Sequence, residues 1–214
     1  MELVRILACG IVGYGIGSIS SGYIVGRMYR NVDLRLVGSG STGATNTYRT
    51  LGLGAALLVA ILDILKGAVS VWVASAIVDG SSDQRIAGMA VAAVAAVAGH
   101  CWPAFLEGRG GRGVATGFGA LLFVATPAWL GAVVAFMLAL AITRMVSVSS
   151  LASVAGALLG YIVFVVAGYL EFHWAVLGFI IVAGSIVTIR HRANIERILR
   201  GNEPRLGQHR SPST

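Results

Sequence analysis

The sequence is short of charged residues and of cysteine. Only 12% of its 214 residues are charged and 57% are hydrophobic, whereas a soluble domain carries roughly 25% charged and 45–50% apolar residues. This composition excludes an ordinary soluble protein. Of the two cysteines, Cys9 lies in the first apolar run and Cys101 at the far end of the third. We expect them near opposite membrane faces, which excludes a disulfide between them.

Several familiar chemical patterns are also missing. No group of cysteine and histidine residues has zinc spacing, and the acidic residues are too scattered to hold magnesium. The chain has no nucleophile elbow of the form Gly-x-Ser-x-Gly. We therefore expect neither a metal nor another cofactor. The first apolar run has no small-residue cleavage site, so we interpret it as a retained span and not as a signal peptide.

What the sequence does contain is long apolar runs, several of which approach the roughly 20 residues that span a bilayer. They predict one compact unit, an all-α membrane protein with about seven transmembrane helices, of which the fourth is short. Pro127 suits the first turn of a helix and separates the fourth helix from the fifth; the alternative is a re-entrant hairpin. The predicted helices cover residues 3–25, 50–78, 86–106, 113–126, 128–143, 150–168 and 173–189.

The basic residues lie mostly on one side of this predicted arrangement. Thirteen of the 16 fall in segments 26–49, 107–112 and 190–210 or at Arg144, and the positive-inside rule places these in the cytoplasm. We therefore expect the N-terminus outside, the C-terminus in the cytoplasm, and a basic cytoplasmic tail over residues 190–214. The net charge of +7, placed in this way, indicates a membrane surface and an anionic substrate, not nucleic acid.

Residues 38–49 form the first of three polar segments on the predicted cytoplasmic face. Glycine-rich turns leave backbone N–H groups free to bind an anion, a helix N-terminus adds partial positive charge, and an arginine suits phosphate. The alternative is a surface loop with small residues for helix packing. The candidate phosphate-binding residues of this segment are Ser39, Gly40, Ser41, Thr45, Asn46 and Arg49.

The other two polar segments are residues 108–113 and 190–197. In the first, Gly111 and Arg112 are candidates, because a positive charge at a helix N-terminus is unfavourable unless an anion is present; the alternative is a basic loop that only sets topology. In the second, His191 and Asn194 share a helix face if the last helix continues. The alternative there is a solvated tail held by anionic lipid.

A few charged residues lie within or beside the predicted spans. Asp63 and Lys66 are three residues apart inside the second span. Charges in a membrane are costly and are usually paired or functional, and here the spacing favours a structural ion pair. His100 lies at the cytoplasmic end of the third helix, where a hydrogen-bonded interfacial histidine is favoured over a catalytic base.

These motifs together resemble the bacterial integral-membrane glycerol-3-phosphate acyltransferases that use acyl phosphate as donor. The family pattern Gly-Ser-Gly-Asn-x-Gly-Ala-Thr-Asn, followed by an Arg, matches residues 38–49 with Ser41 in place of Asn. The pattern Gly-Gly-Lys-Gly-Val-Ala-Thr matches residues 110–116 with Arg112 in place of Lys. Further matches in the same order are Asp-x-x-Lys-Gly at 63–67, Gly-His-x-x-Pro-x-Phe-Leu at 99–106, Ser-x-x-Ser at 147–150 and Arg-His-x-x-Asn-Ile-x-Arg at 190–197.

The resemblance implies transfer of an acyl group from acyl phosphate to the 1-hydroxyl of glycerol 3-phosphate, giving lysophosphatidate and phosphate. The bacterial cytoplasmic (inner) membrane would be the location, with the active site facing the cytosol and membrane lipid around it. The resemblance leaves open whether a histidine or a phosphate oxygen accepts the proton. Two other classes stay possible, a transporter of a phosphorylated metabolite and a structural membrane protein with a lipid-binding tail.

The resemblance also implies roles for individual residues. The first segment would hold one phosphate, and Arg112 and Gly111 would hold the other or bridge both. His191 with Asn194 would orient glycerol 3-phosphate. Ser147 and Ser150 would line the pocket. The residues expected to be needed for catalysis are His191, Arg49, Arg112 and Asn194.

Overall fold

The computed structural model describes residues 2–207, and within this range the regular structure is entirely helical. A short 3₁₀ turn, Ala104–Leu106, joins two of the helices. The α-helices of this range are α1 (Glu2–Gly17), α2 (Ser21–Arg30), α3 (Ala44–Leu51), α4 (Leu53–Ile77), α5 (Ser82–Cys101), α6 (Val114–Val124), α7 (Thr126–Thr143), α8 (Val146–Val166), α9 (Trp174–Arg190) and α10 (Arg192–Leu199). The end of the predicted basic tail, residues 208–214 with Arg210, lies outside the described residues.

Five segments of the described chain are long and apolar enough to cross a membrane, and a sixth is obtained if the pair α9 and α10, bent by 61°, counts as one span. The five are Glu2–Arg30, Leu53–Ile77, Ser82–Leu106, Thr126–Thr143 and Val146–Val166. Helix α6 has only 11 residues and rises about 16 Å, roughly half of a bilayer core. Each of the seven predicted helices therefore has an apolar counterpart, and the number that cross completely stays a prediction, as does the orientation.

Two predicted helices are divided in the structure. The predicted helix 3–25 breaks between Gly17 and Ser21 into α1 and α2. The predicted helix 50–78 starts at Leu53, because Gly52 has a φ of +91° and separates α3 from α4. Such a φ is readily adopted by glycine and rarely by other residues. Both breaks lie next to the polar segments, so they affect where the candidate site forms.

Small residues allow the helices to approach closely. On α4, a Cβ added to Gly67 would overlap the backbone of Thr116 on α6, and Gly131 of α7 meets Gly156 of α8 in the same way. Such contacts are typical of membrane helices, where packing rather than hydrophobicity drives association. Both cysteines are buried and free, as the sequence predicted.

Candidate functional site

A cavity of about 470 Å³ lies among α3, α4, α6, α7 and α8 and the junction of α9 with α10. Its polar lining is near the start of α6, where Arg112 and His191 both line the cavity. Its apolar lining follows α6 as far as Leu122 and α7 back to Trp129, on either side of the turn between these helices. The other polar lining residues are Ser41, Thr45, Asn46, Asp63, His100 and Ser150. The cavity is thus polar at one end and apolar at the other.

The side chain of Asn46 holds the loop that precedes α3. Its Oδ1 accepts a 2.9 Å hydrogen bond from the backbone N–H of Ser39. Its Nδ2 lies 2.9–3.1 Å from the carbonyl oxygens of Leu34, Val37 and Ser41. Because both ends of this buried amide bind the loop backbone, Asn46 fixes the shape of the loop, a contribution that the donor pattern of the sequence did not reveal.

The remaining candidates of residues 38–49 fall into two groups. Ser41 and Thr45 line the cavity. Ser39 and Gly40 are exposed, at a turn where Gly40 has a φ of +68°, and they do not line the cavity. Arg49 is exposed on α3, but its charge acts on Arg112. The structure therefore brings part of this segment to the cavity and places the rest around its rim.

An ion pair anchors the start of the same loop. The guanidinium of Arg35 binds the Asp33 carboxylate with Nη2–Oδ2 at 2.7 Å and Nε–Oδ1 at 3.0 Å. The hydrogen bond from Arg35 lowers the pKa of Asp33 below its usual value, against the opposing effect of burial. Arg35 also lies over the ring of Tyr23, 5.2 Å from its centroid. The loop is thereby attached to α2.

The loop before α6 is held from two directions. The backbone N–H of Gly111 donates to the carbonyl of His100 at 3.1 Å. From the other side, Arg190 donates to the carbonyls of Gly111 and Gly110 at 3.1 and 3.2 Å. The Gly111 N–H was predicted to bind phosphate, but in the structure it donates to the His100 carbonyl. This hydrogen bond helps to fix the loop that carries Arg112.

Arg112 lies in a region with an excess of positive charge. Burial, together with the charges of Arg197, Arg49 and Arg190, lowers the pKa of Arg112 to about 10, and Glu203 partly compensates. The group stays charged at neutral pH. A cluster of guanidinium groups with one nearby carboxylate favours a bound anion.

His191 is buried, with 1% of its surface exposed, at the end of α9. Its Nδ1 lies 2.8 Å from the carbonyl oxygen of Val187, and since a carbonyl can only accept, Nδ1 must carry a proton. In the neutral ring Nε2 is then an acceptor, on a residue that lines the cavity.

Asn194 is buried, but it does not line the cavity. Its Nδ2 donates a 2.6 Å hydrogen bond to Oε1 of Glu203, whose Oε2 accepts from Arg197 Nε at 2.8 Å. Burial acts to raise the pKa of Glu203, but hydrogen bonds and the charge of Arg197 outweigh it and lower the pKa. Glu203 therefore connects two residues of α10.

The two predicted serines occupy different positions on α8. Ser150 lines the cavity and its hydroxyl donates to the carbonyl of Val146 at 2.8 Å. Ser147 is buried outside the cavity lining, beside the Glu203 carboxylate, and favours the charged form of that group.

The sequence did not reveal the roles of Arg190 and Glu203, although both belong to the motifs that it contains. Their contacts join residues that are 79 and 9 positions apart, which no local spacing indicates. The predicted ion pair of Asp63 and Lys66 is confirmed, with Oδ1–Nζ at 2.8 Å. Asp63 also lines the cavity together with His100, which the sequence did not predict.

The chain is similar to known proteins over most of its length. The profile of the family described as "Glycerol-3-phosphate acyltransferase" matches residues 7–201. The glycerol-3-phosphate acyltransferase of Parasynechococcus marenigrum is 44% identical over 199 residues, 92% of this chain and 88% of that protein. That of Synechococcus elongatus is 42% identical over 212 residues, 98% of each.

Two solved structures are also similar. The crystal structure of PlsY (YgiH), an integral membrane glycerol 3-phosphate acyltransferase, in its glycerol 3-phosphate form has a TM-score of 0.83 and 35% identity, covering 94% of this chain and 96% of that one. Its lysophosphatidic acid form has a TM-score of 0.80 and 34% identity, covering 94% and 95%.

Proposed function

Because the chain belongs to the glycerol-3-phosphate acyltransferase family, we propose that it moves an acyl group from acyl phosphate to the 1-hydroxyl of glycerol 3-phosphate. The products are lysophosphatidate and inorganic phosphate. One observation carries this proposal: a single cavity runs from Arg112 and His191 to the apolar side chains around Trp129. A substrate with a phosphate at one end and an acyl chain at the other matches both parts.

The proposal includes the orientation of the chain. Seven helices traverse or enter the bacterial inner membrane, the N-terminus lies outside, and the C-terminus lies in the cytoplasm. The polar end of the cavity then faces the cytosol. The basic residues of segments 26–49, 107–112 and 190–210 support this arrangement through the positive-inside rule.

Two phosphate groups, one from each substrate, occupy the polar end. Ser41 and Thr45 contact one of them, Arg49 contributes charge, and Ser39, Gly40 and Asn46 give the loop its shape. Arg112 binds the other phosphate from the loop that Gly111 forms. Preorganised positive charge of this kind stabilises the negative charge that develops on a leaving group, and the excess of guanidinium groups around Arg112 supports this role.

His191 and Asn194 orient glycerol 3-phosphate. His191 Nε2 accepts a hydrogen bond from the 2-hydroxyl of glycerol 3-phosphate, because Nδ1–H is occupied by the Val187 carbonyl, and the proton of the attacking 1-hydroxyl stays free for a phosphate oxygen. Asn194 acts from behind His191, held in place by Glu203, and Ser147 and Ser150 complete this side of the pocket. Holding reactants in the correct geometry can by itself supply a large part of a rate enhancement.

The reaction needs no covalent enzyme intermediate. The 1-hydroxyl oxygen bonds to the carbonyl carbon of the acyl phosphate, and the bond from that carbon to the bridging oxygen breaks. The electron pair leaves with the phosphate, and a phosphate oxygen takes the hydroxyl proton. His191 does not keep this proton, since an imidazolium there would be a further positive charge beside Arg112 and Arg190.

Purified protein supplied with glycerol 3-phosphate and palmitoyl phosphate tests the proposal. Lysophosphatidate and phosphate should appear in equal amounts, and excess EDTA should not prevent this. Palmitoyl-CoA should be a poor donor, because a site that stabilises a leaving phosphate gives little help to a thiol. Absence of lysophosphatidate, together with uptake of glycerol 3-phosphate by vesicles that contain the protein, would replace the enzyme with a transporter.

A further inference from the structure

We propose that the buried cluster of Asp63, Lys66 and His100 is a positioning device for the loop of residues 110–113, and so controls phosphate binding as well as helix packing. This inference rests on the proposed function, since that loop carries Arg112. The cluster lies outside the residues to which we assigned substrate contacts.

The ion pair fixes one end of the cluster. Lys66 Nζ lies 2.8 Å from Asp63 Oδ1 and donates a 2.9 Å hydrogen bond to the carbonyl of Ile19. Ile19 lies in the break between α1 and α2, where its carbonyl has no helical partner in the described chain. An unsatisfied carbonyl is costly in a membrane protein, so Lys66 joins α4 to the broken first span.

His100 connects this ion pair to the loop. Its Nδ1 lies 3.5 Å from Asp63 Oδ1, and the Nε2 edge of its ring lies so close to Gly111 that a Cβ added there would overlap it. The carbonyl of His100 accepts the Gly111 N–H. The imidazole thus fills the space between the carboxylate and the loop backbone.

The position of the cluster favours a role beyond packing. Arg190 binds the carbonyls of Gly110 and Gly111, and the ring and backbone carbonyl of His100 contact the same loop at Gly111. Without His100, the loop would be held from one side only and the adjoining Arg112 would shift. Asp63 and His100 line the cavity itself. Buried ion pairs contribute little stability compared with apolar side chains of similar size, which makes packing alone a weak reason for this cluster.

The first test uses the substitution His100→Gln, which leaves the Asp63–Lys66 ion pair intact. Inorganic phosphate should raise the Tm of the wild-type protein in detergent, and this increase should disappear in the variant. The KM for acyl phosphate should rise roughly ten- to hundredfold, the effect expected when a loop that positions a reactant shifts.

Ser70→Ala is the matched control. Ser70 is buried on α4 one turn from Lys66 and its hydroxyl donates to the Lys66 carbonyl, but it does not contact the loop. This variant should keep the phosphate-induced rise in Tm and both KM values. If His100→Gln also keeps them, the positioning role is wrong.

A second variant covers the case in which His100→Gln does not fold. Gly111→Ala places a methyl group against the His100 ring, so its basal Tm should be lower than that of the wild type, and the phosphate-induced rise in Tm should also be abolished. Retention of that rise in Gly111→Ala would overturn the inference. The Tm measurement needs no turnover, so an inactive wild-type protein that still responds to phosphate would contradict the proposed function and leave this inference standing.

Discussion

Asn194 and Glu203 face each other across the turn that follows α10, where Asn194 Nδ2 donates a 2.6 Å hydrogen bond to Glu203 Oε1. The same carboxylate binds Arg197 through its other oxygen. A residue expected to orient substrate is therefore held by one outside the cavity. The position of Asn194 thus depends on the negative charge of Glu203, which takes no part in the proposed reaction.

Glu203→Gln should weaken glycerol 3-phosphate binding more than it slows the chemical step. The amide oxygen can still accept from Asn194, but the charge that holds Arg197 is lost, so we expect KM to rise about tenfold, as for loss of a charged hydrogen bond. Steady-state kinetics with varied glycerol 3-phosphate measure this. Glu196→Gln removes an exposed charge from α10, the helix that carries Asn194, and should leave the KM for glycerol 3-phosphate unchanged. Equal effects of the two variants would mean that only net charge matters.

Arg112→Lys should retain substantial activity, whereas Arg112→Ala should lose most of it. Lysine preserves the charge at the start of α6, and alanine removes a charge-assisted phosphate contact worth on the order of 1.5–3 kcal/mol. The measurement is kcat/KM for acyl phosphate. Arg109→Ala, an exposed arginine of the same loop, is the control and should behave as the wild type. If lysine is as inactive as alanine, the electrostatic role is wrong.

His191→Asn should raise the KM for glycerol 3-phosphate and lower kcat only modestly. The amide can replace part of the hydrogen bonding of the ring, and the proton goes to a phosphate oxygen. An acidic limb in the pH profile of kcat, from a substrate phosphate whose second ionisation falls near 6, should persist in the variant. A collapse of kcat with unchanged substrate binding would identify His191 as the base.

Acid should destabilise the protein through Asp33. The hydrogen bond from Arg35 keeps the pKa of Asp33 lower in the folded state than in the unfolded state. The stabilisation is therefore complete above the unfolded value of about 3.9 and is lost as the pH falls through the folded value. Tm should stay constant between about pH 7 and 5, and it should decrease once the pH drops below about 4.

The Asp33→Asn variant isolates this contribution. It should melt at a lower temperature at neutral pH and show a smaller further loss in acid. Asp79→Asn removes an exposed carboxylate and serves as the control. An Asp33→Asn curve parallel to that of the wild type would show that other groups cause the acid sensitivity.

A reporter fused after Thr214 should be active in the cytoplasm, and one placed before Met1 should be active outside. The reason is the concentration of basic residues on one predicted face. Fusion at Gly80, between α4 and α5, offers an internal control that should also report from outside. A translocated C-terminus would reverse the orientation and the location of the site together.

The sequence predicted the helical membrane class and the apolar segments, because the hydrophobic composition and the length of the apolar runs can be read from it directly. It predicted less well where helices break. In the break before Ser21, Lys66 donates a hydrogen bond to the Ile19 carbonyl, a tertiary contact that no local pattern shows. Gly52, in contrast, is a visible break signal whose effect on the start of α4 was not recognised.

The candidate site was predictable as a set of residues but not as an arrangement. Polar segments at the ends of apolar runs indicated Thr45, Arg112 and His191, which share the cavity. The large number of hydrogen-bond donors in residues 38–49 could not show that the Asn46 amide binds the backbone of its own loop. The sequence also could not show that Asn194 donates to Glu203, because this hydrogen bond forms only when the turn after α10 folds back and is not indicated by the spacing of the two residues.

The cavity with one polar and one apolar end has a consequence for membrane growth. In the orientation that we propose, the polar end of the cavity faces the cytosol. Lysophosphatidate would then be released with its head group on that side, so new lipid would begin in the inner leaflet. The outer leaflet then expands only as fast as lipids are moved across. On this proposal, the direction in which α6 and α7 line the cavity would determine on which side the bilayer first gains area.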